Sequence, residues 1–190
     1  TFQHTSSNTT MKSTLPNMVL SLAGIAIVAA AALAAVNSCT KSKISEGADT
    51  ARMEALRAVS PEFDSHNTTT GADGLTVYNL TLGDTPAGTA VETFSDNGFS
   101  GRITILAGFD NAGTLTGYRV LQHQETPGLG AQMDTWFMPD AGHGMVVGSN
   151  APLAVKADGG EIDAITGATI TSRAFMEAIN KARTAIGDER

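Results

Sequence analysis

Asp163-Ala164-Ile165-Thr166-Gly167-Ala168-Thr169-Ile170-Thr171-Ser172 puts one acid, one glycine and four hydroxyls into ten residues, then runs into a patterned helix. From Arg173 the apolar residues fall at Phe175, Ala178, Ile179, Ala182 and Ile186, the spacing of a helix with one buried face. Thr171 or Ser172 serves as N-cap, and Gly187 follows the last apolar position as a stop. The hydroxyl-rich segment therefore sits at the positive end of a helix dipole, where unpaired N–H groups favour a phosphate. Plain helix capping accounts for the same residues, so the rest of the chain has to decide between the two.

Upstream of that helix the period changes. Leu75–Leu82, Thr89–Phe94, Arg102–Ala107 and Thr114–Gln122 read as strands. Asp110-Asn111-Ala112-Gly113 forms a hairpin turn between the last two. Alternation at Ile103/Ile105 and Tyr118/Val120 predicts an antiparallel sheet with one exposed face. Ser65–Gly74 is rich in Thr and Asn and reads as a loop. A short helix is expected over Ala131–Phe137, bringing Trp136 and Phe137 to the core, with strands at Met145–Val147 and Leu153–Val155 and a turn at Asp158-Gly159-Gly160. Residues 44–60 form a helix with Ala51, Ala55, Leu56 and Val59 on one face, ended by Pro61. The fold class is α+β.

The first forty-odd of the 190 residues differ in kind. Residues 1–17 are a polar extension, and Met18–Val36 carries no charge. Nineteen helical residues at ~1.5 Å each nearly match a ~30 Å hydrocarbon core. A cleaved signal peptide has a shorter apolar region, and a lipoprotein signal ending at Cys39 would place Asn37 where a small residue is usual. A retained single span fits best, and its Ala and Gly content lets another transmembrane helix approach closely. Lys12 on one side and Lys41 with Lys43 on the other leave the orientation open.

All nineteen acids and nine of the twelve Lys and Arg lie beyond residue 44, so this part carries a formal charge of −10. Such a domain is a poor nucleic-acid binder, because neutralising phosphates requires clustered Lys and Arg. Cys39 is the only cysteine, which rules out an intrachain disulfide and any all-cysteine metal site. The histidines at 4, 66, 123 and 143 have no metal-ligand spacing. The sequence has no Gly-x-Ser-x-Gly elbow, no phosphate loop of the Gly-Lys-Ser/Thr kind and no Gly-x-Gly-x-x-Gly fingerprint. Independent hydrolase and nicotinamide-binding chemistry are therefore disfavoured.

A second distinctive stretch, His123-Gln124-Glu125-Thr126-Pro127-Gly128-Leu129-Gly130, follows a predicted strand. Pro127 fixes one φ angle, while Gly128 and Gly130 allow positive φ and close approach of backbone to a ligand. A well-made surface turn explains the same residues. His123 and Glu125 alone are too few for a metal site.

The anchor, the Glu125–Gly130 stretch and the Asp163–Ser172 stretch together resemble the FMN-binding domain family. More narrowly, the chain resembles the G-subunit family of the Rnf electron-transport complexes. The sister family is the C subunit of sodium-translocating NADH:quinone reductases, for which this chain is short. The resemblance implies an FMN-binding domain over 44–190 behind a transmembrane helix over 18–36. It implies FMN joined through a phosphoester to Thr169, with Asp163, Thr166, Gly167 and Ala168 as the motif that a flavin transferase reads. Glu125, Thr126, Gly128, Leu129 and Gly130 are the expected additional flavin contacts. Arg173 is near enough in sequence to pair with the phosphate, or is simply solvated. The implied role is electron relay in an ion-translocating ferredoxin:NAD⁺ oxidoreductase, with flavin and iron–sulfur subunits as partners and the domain on the extracytoplasmic side of the plasma membrane. The rivals are a stand-alone anchored flavoprotein and a non-redox module whose Thr-rich stretch only caps a helix.

Overall fold

The computed structural model describes residues 15–138, 141–143, 148 and 151–188, without the side chains of 39–49, 72 and 188. Residues 1–14 of the expected polar extension, Cys39 as a modification site and the expected strand at 145–147 lie outside this description. The chain divides into two compact units, Thr1–Thr50 and Ala51–Arg190.

In the first unit, helix α1 (Leu15–Val59) begins three residues ahead of the apolar run read from the sequence, and it continues into the second unit. Its segment Leu15–Ser38, with a mean hydropathy of 2.6, is long and apolar enough to cross a membrane.

The second unit is built on a five-stranded antiparallel meander in the order β1 (Ser65–Thr70), β2 (Thr76–Leu82), β3 (Thr85–Gly98), β4 (Gly101–Phe109) and β5 (Leu115–Gln122). The strands read from alternation are all present. Ser65–Thr70, expected as loop, is instead an edge strand paired along its length with Thr76–Thr81. Its side chains are mostly exposed, so no apolar alternation marks it; backbone pairing to β2 makes it a strand.

On one face of the sheet Val77, Val91, Ile103, Ile105, Ala107, Phe109 and Leu115 pack with the C-terminal helix α3 (Thr169–Asp188). That helix contributes Phe175, Ala178, Ile179, Ala182 and Ile186, the five positions that the helical period picks out. Tyr118 meets Phe175 edge-on at 4.8 Å between ring centroids, and Phe137 stacks on Phe175 at 4.6 Å. Thr93, fully buried in β3, donates to the Ala178 carbonyl at 2.9 Å.

The other face is covered too, against the expectation of an exposed one. The last turns of α1 lay Ala55, Leu56 and Val59 on Tyr78, Leu80, Ala90 and Leu106. Ala51, expected on that buried face, is exposed, and partly buried Met53 packs there. Gly108 permits the approach: a β-carbon there would collide with the Val59 carbonyl oxygen. Thr116 Oγ1 donates to the same oxygen at 2.6 Å, satisfying a carbonyl that the helix end leaves open just ahead of Pro61.

Between β5 and α3 the chain is irregular. A 3₁₀ turn (Gly130–Gln132) leads into α2 (Met133–Trp136), a single turn that buries Phe137 and leaves Trp136 partly buried. Leu153–Val155, expected as a strand, forms only the isolated parallel bridge Val155–Ile162, because no neighbouring strand is in reach. Asn180 of α3 takes over that pairing and bonds both the N–H and the carbonyl of Leu153 at 2.8 Å.

Candidate functional site

Two tight turns frame a pocket at the start of α3. In Thr126–Leu129 the Leu129 N–H reaches the Thr126 carbonyl at 3.1 Å, with Pro127 second and Gly128 third at φ 75°. In Ile165–Ala168 the Ala168 N–H reaches the Ile165 carbonyl at 2.9 Å, with Gly167 third at φ 76°. Both have the positive φ at the third position that a type II turn demands. The Pro-Gly stretch is thus a well-made turn that also walls a cavity.

The pocket measures about 350 Å³ and is lined by Phe99, Glu125, Thr126, Leu129, Gly130 and residues 167–171. That size falls within the ~300–1,000 Å³ of small-molecule sites. Of the residues singled out in the sequence, Glu125, Thr126, Leu129, Gly130, Gly167, Ala168 and Thr169 come together here. Gly128 shapes the turn from outside the lining, and its carbonyl accepts from the Gln132 side chain. Thr166 is exposed on the second turn. Asp163 stands off the pocket. Its carboxylate pairs with Lys156 at 2.8 Å, its N–H donates to His143 O at 2.9 Å, and its carbonyl accepts from Trp136 Nε1 at 2.9 Å.

The helix begins earlier than its apolar pattern suggests. Thr169 is its first residue, so Thr171 and Ser172 lie inside the first turn and neither is the N-cap. Ser172 instead accepts the Ile165 N–H at 2.9 Å and donates to Ala168 O at 3.0 Å, bracing the turn before the helix. The residue ahead of the helix, Ala168, has no capping side chain. The first bond of the helical ladder runs from Ser172 N–H to Ala168 O, which places the N–H groups of Thr169, Ile170 and Thr171 ahead of it. Half-buried Thr169 therefore offers a hydroxyl at an uncapped positive helix end.

Thr171 is occupied otherwise. Its hydroxyl donates to Glu125 Oε2 at 2.6 Å, and Glu125 Oε1 accepts the Ser100 N–H at 3.0 Å. Arg173 faces away from the pocket and binds Asp158 through two 2.7 Å hydrogen bonds, which hold that carboxyl below its ordinary range. The expected pairing of Arg173 with a phosphate is replaced by this exposed ion pair. Phe99 and Ile170 complete the apolar walls, and sequence reasoning passed over both. For Phe99 the available signal was an aromatic between Gly98 and Gly101 in a turn, where solvent-facing residues are usually polar.

Apolar walls, a threonine hydroxyl and free helix N–H groups meet in one cavity, which fits a flat ring system carrying a phosphate. Residues 98–184, which contain every lining residue of this pocket, match the FMN-binding domain. The G subunit of the ion-translocating oxidoreductase complex from Shewanella amazonensis is 34% identical over 187 residues, covering 90% of this chain and 86% of that protein. The corresponding protein of Aliivibrio fischeri is 32% identical, with 90% of each chain covered. That of Escherichia coli is 35% identical over 164 residues, or 78% of this chain and 80% of the relative. The chain belongs to this family, the G subunits of ion-translocating oxidoreductase complexes.

Proposed function

We propose that this chain is the flavin-carrying electron-relay subunit of a membrane ion-translocating ferredoxin:NAD⁺ oxidoreductase, with FMN joined by a phosphoester to Thr169. The observation that carries the proposal is the meeting of Thr169, at an uncapped helix start, with the Glu125–Gly130 loop in one pocket of an FMN-binding domain. Thr169 supplies the ester oxygen, and the N–H groups of Ile170 and Thr171 stabilise the phosphate charge. Phe99, Leu129 and Ile170 exclude water from the ring, while Thr126 at the rim offers a polar contact. FMN, when bound, supplies reversible electron uptake and release. Because the join is at the phosphate, the ring keeps its own chemistry, and the protein tunes it by packing and hydrogen bonds. A tether also keeps the flavin at high effective concentration beside its redox partners.

In this reading Leu15–Ser38 anchors the chain as a single span in the plasma membrane, with the FMN-binding domain on the extracytoplasmic side. The partners are the flavin, iron–sulfur and membrane subunits of the same complex, and a flavin transferase matures the chain by reading Asp163, Thr166, Gly167 and Ala168. The test is a denaturing gel of protein made in a host that has the transferase, viewed under ultraviolet light. Yellow-green emission should travel with the wild-type band and be lost in Thr169→Ala. A dark wild-type band refutes the ester.

A further inference from the structure

Phe99 stands at the tip of the turn between β3 and β4 and is 68% exposed, yet it lines the pocket beside Leu129 and Ile170. Its turn is tied down on both sides by carboxylates. Glu177 of α3 accepts from Asn97 Nδ2 at 2.7 Å and from Ser95 Oγ at 2.9 Å. Glu125 accepts the Ser100 N–H at 3.0 Å with one oxygen and the Thr171 hydroxyl at 2.6 Å with the other. Glu125 is 5% exposed, so both oxygens need the donors that they have.

The slot holding this carboxylate is cut to size. A β-carbon on Gly98 would stand 2.8 Å from Oε1, and one on Gly130 would stand 2.6 Å from Oε2. The carboxylate thus acts as a strut of fixed length between the first turn of α3, which carries Thr169, and the turn that carries Phe99. An aromatic ring left in solvent on a turn braced this firmly is a surface shaped for a flat apolar partner.

We propose that Phe99 is the side chain that lies against the isoalloxazine ring, and that Glu125 is the positioning residue that holds it there, through Thr171 and the Ser100 N–H. This rests on the FMN reading above. It also gives Glu125 a role other than contact with the flavin, since both of its oxygens are engaged within the protein.

Phe99→Trp in the full, flavin-loaded chain tests the contact, because an indole quenches flavin emission when the two rings touch. Phe99 is exposed, so the substitution leaves the core untouched. At equal covalent flavin, scored on the denaturing gel, Phe99→Trp should lose most of the emission that the native wild-type protein gives. Thr171→Val, which keeps the shape but removes the donor to Glu125, is then added to Phe99→Trp. Emission should recover, and Thr171→Ser in the same background should stay quenched. Emission of Phe99→Trp equal to wild type overturns the ring contact. Quenching that survives Thr171→Val overturns the positioning role of Glu125. A wild-type band without covalent flavin fails the FMN reading instead, and this inference with it.

Discussion

At the scale of single residues the tightest constraint is a glycine far from the pocket. Gly108 leaves room for the Val59 carbonyl, and no rotamer change relieves a clash between a β-carbon and backbone. Gly108→Ala should therefore destabilise the domain by about 1–3 kcal/mol, the usual cost of overpacking, measured by urea unfolding. Tyr118 has a different kind of constraint. Its hydroxyl donates to the Met133 carbonyl at 2.9 Å, and burial, reinforced by the Asp134 charge, pushes its ionisation well above that of a free tyrosine despite an opposing backbone hydrogen bond. The sign follows from linkage. Because the folded pKa is raised, the stability from the neutral phenol is complete below the unfolded value of about 10 and is lost as pH rises beyond it. Tyr118→Phe should lower stability at neutral pH by about 1–2 kcal/mol and remove this alkaline loss, which unfolding midpoints across the alkaline range will check. Among the site residues, Thr169, Glu125 and Gly130 were legible in the sequence because hydroxyl, acid and glycine stand out against their surroundings. The bond between Glu125 and Thr171 was not, since it spans 46 positions and only the fold brings its ends together.

The elements were readable in proportion to how much apolar surface they bury. Strands β2 to β5 and helix α3 each show a period because one face enters a core. Strand β1 has no buried face to display, and the Leu153–Val155 run, apolar enough to suggest a strand, is satisfied by Asn180 instead of a neighbour. The true start of α3 was hidden for a related reason. Its first turn serves the pocket and the turn before it, so the apolar period begins only at Ala174 and Phe175. What holds α3 to the β3 end of the sheet is partly charge. Burial alone would raise the Glu177 carboxyl, but hydrogen bonds from Asn97, Ser95 and Lys181 outweigh it and leave the carboxyl below its ordinary value. A depressed folded pKa gives stability that is present above the unfolded value and lost as pH falls through the folded one. The contribution should fade below about pH 4, and Glu177→Gln should flatten the acid limb of a plot of melting temperature against pH.

For the molecule as a whole, the division after Thr50 predicts where the chain tolerates cutting. A chain beginning at Ala51 keeps Ala55, Leu56 and Val59 on the sheet and should stay folded and soluble, by circular dichroism and gel filtration. One beginning at Ser60 strips them away, uncovers Tyr78, Leu80, Ala90 and Leu106, and should aggregate. The domain organisation was legible from composition, whereas the second use of α1, as the lid of a sheet face, was not. The order of the elements carries a last consequence, for biogenesis. Each strand of the meander pairs with the strand before it, so the sheet can assemble as the chain emerges. Its larger core stays open until α3, the final element, closes over it. The hydroxyl of Thr169 takes its place at that same moment, because the pocket needs α3 seated against the Glu125 strut. A polypeptide interrupted during synthesis or clipped near its end never presents the acceptor, so loading with cofactor marks out the copies that were finished.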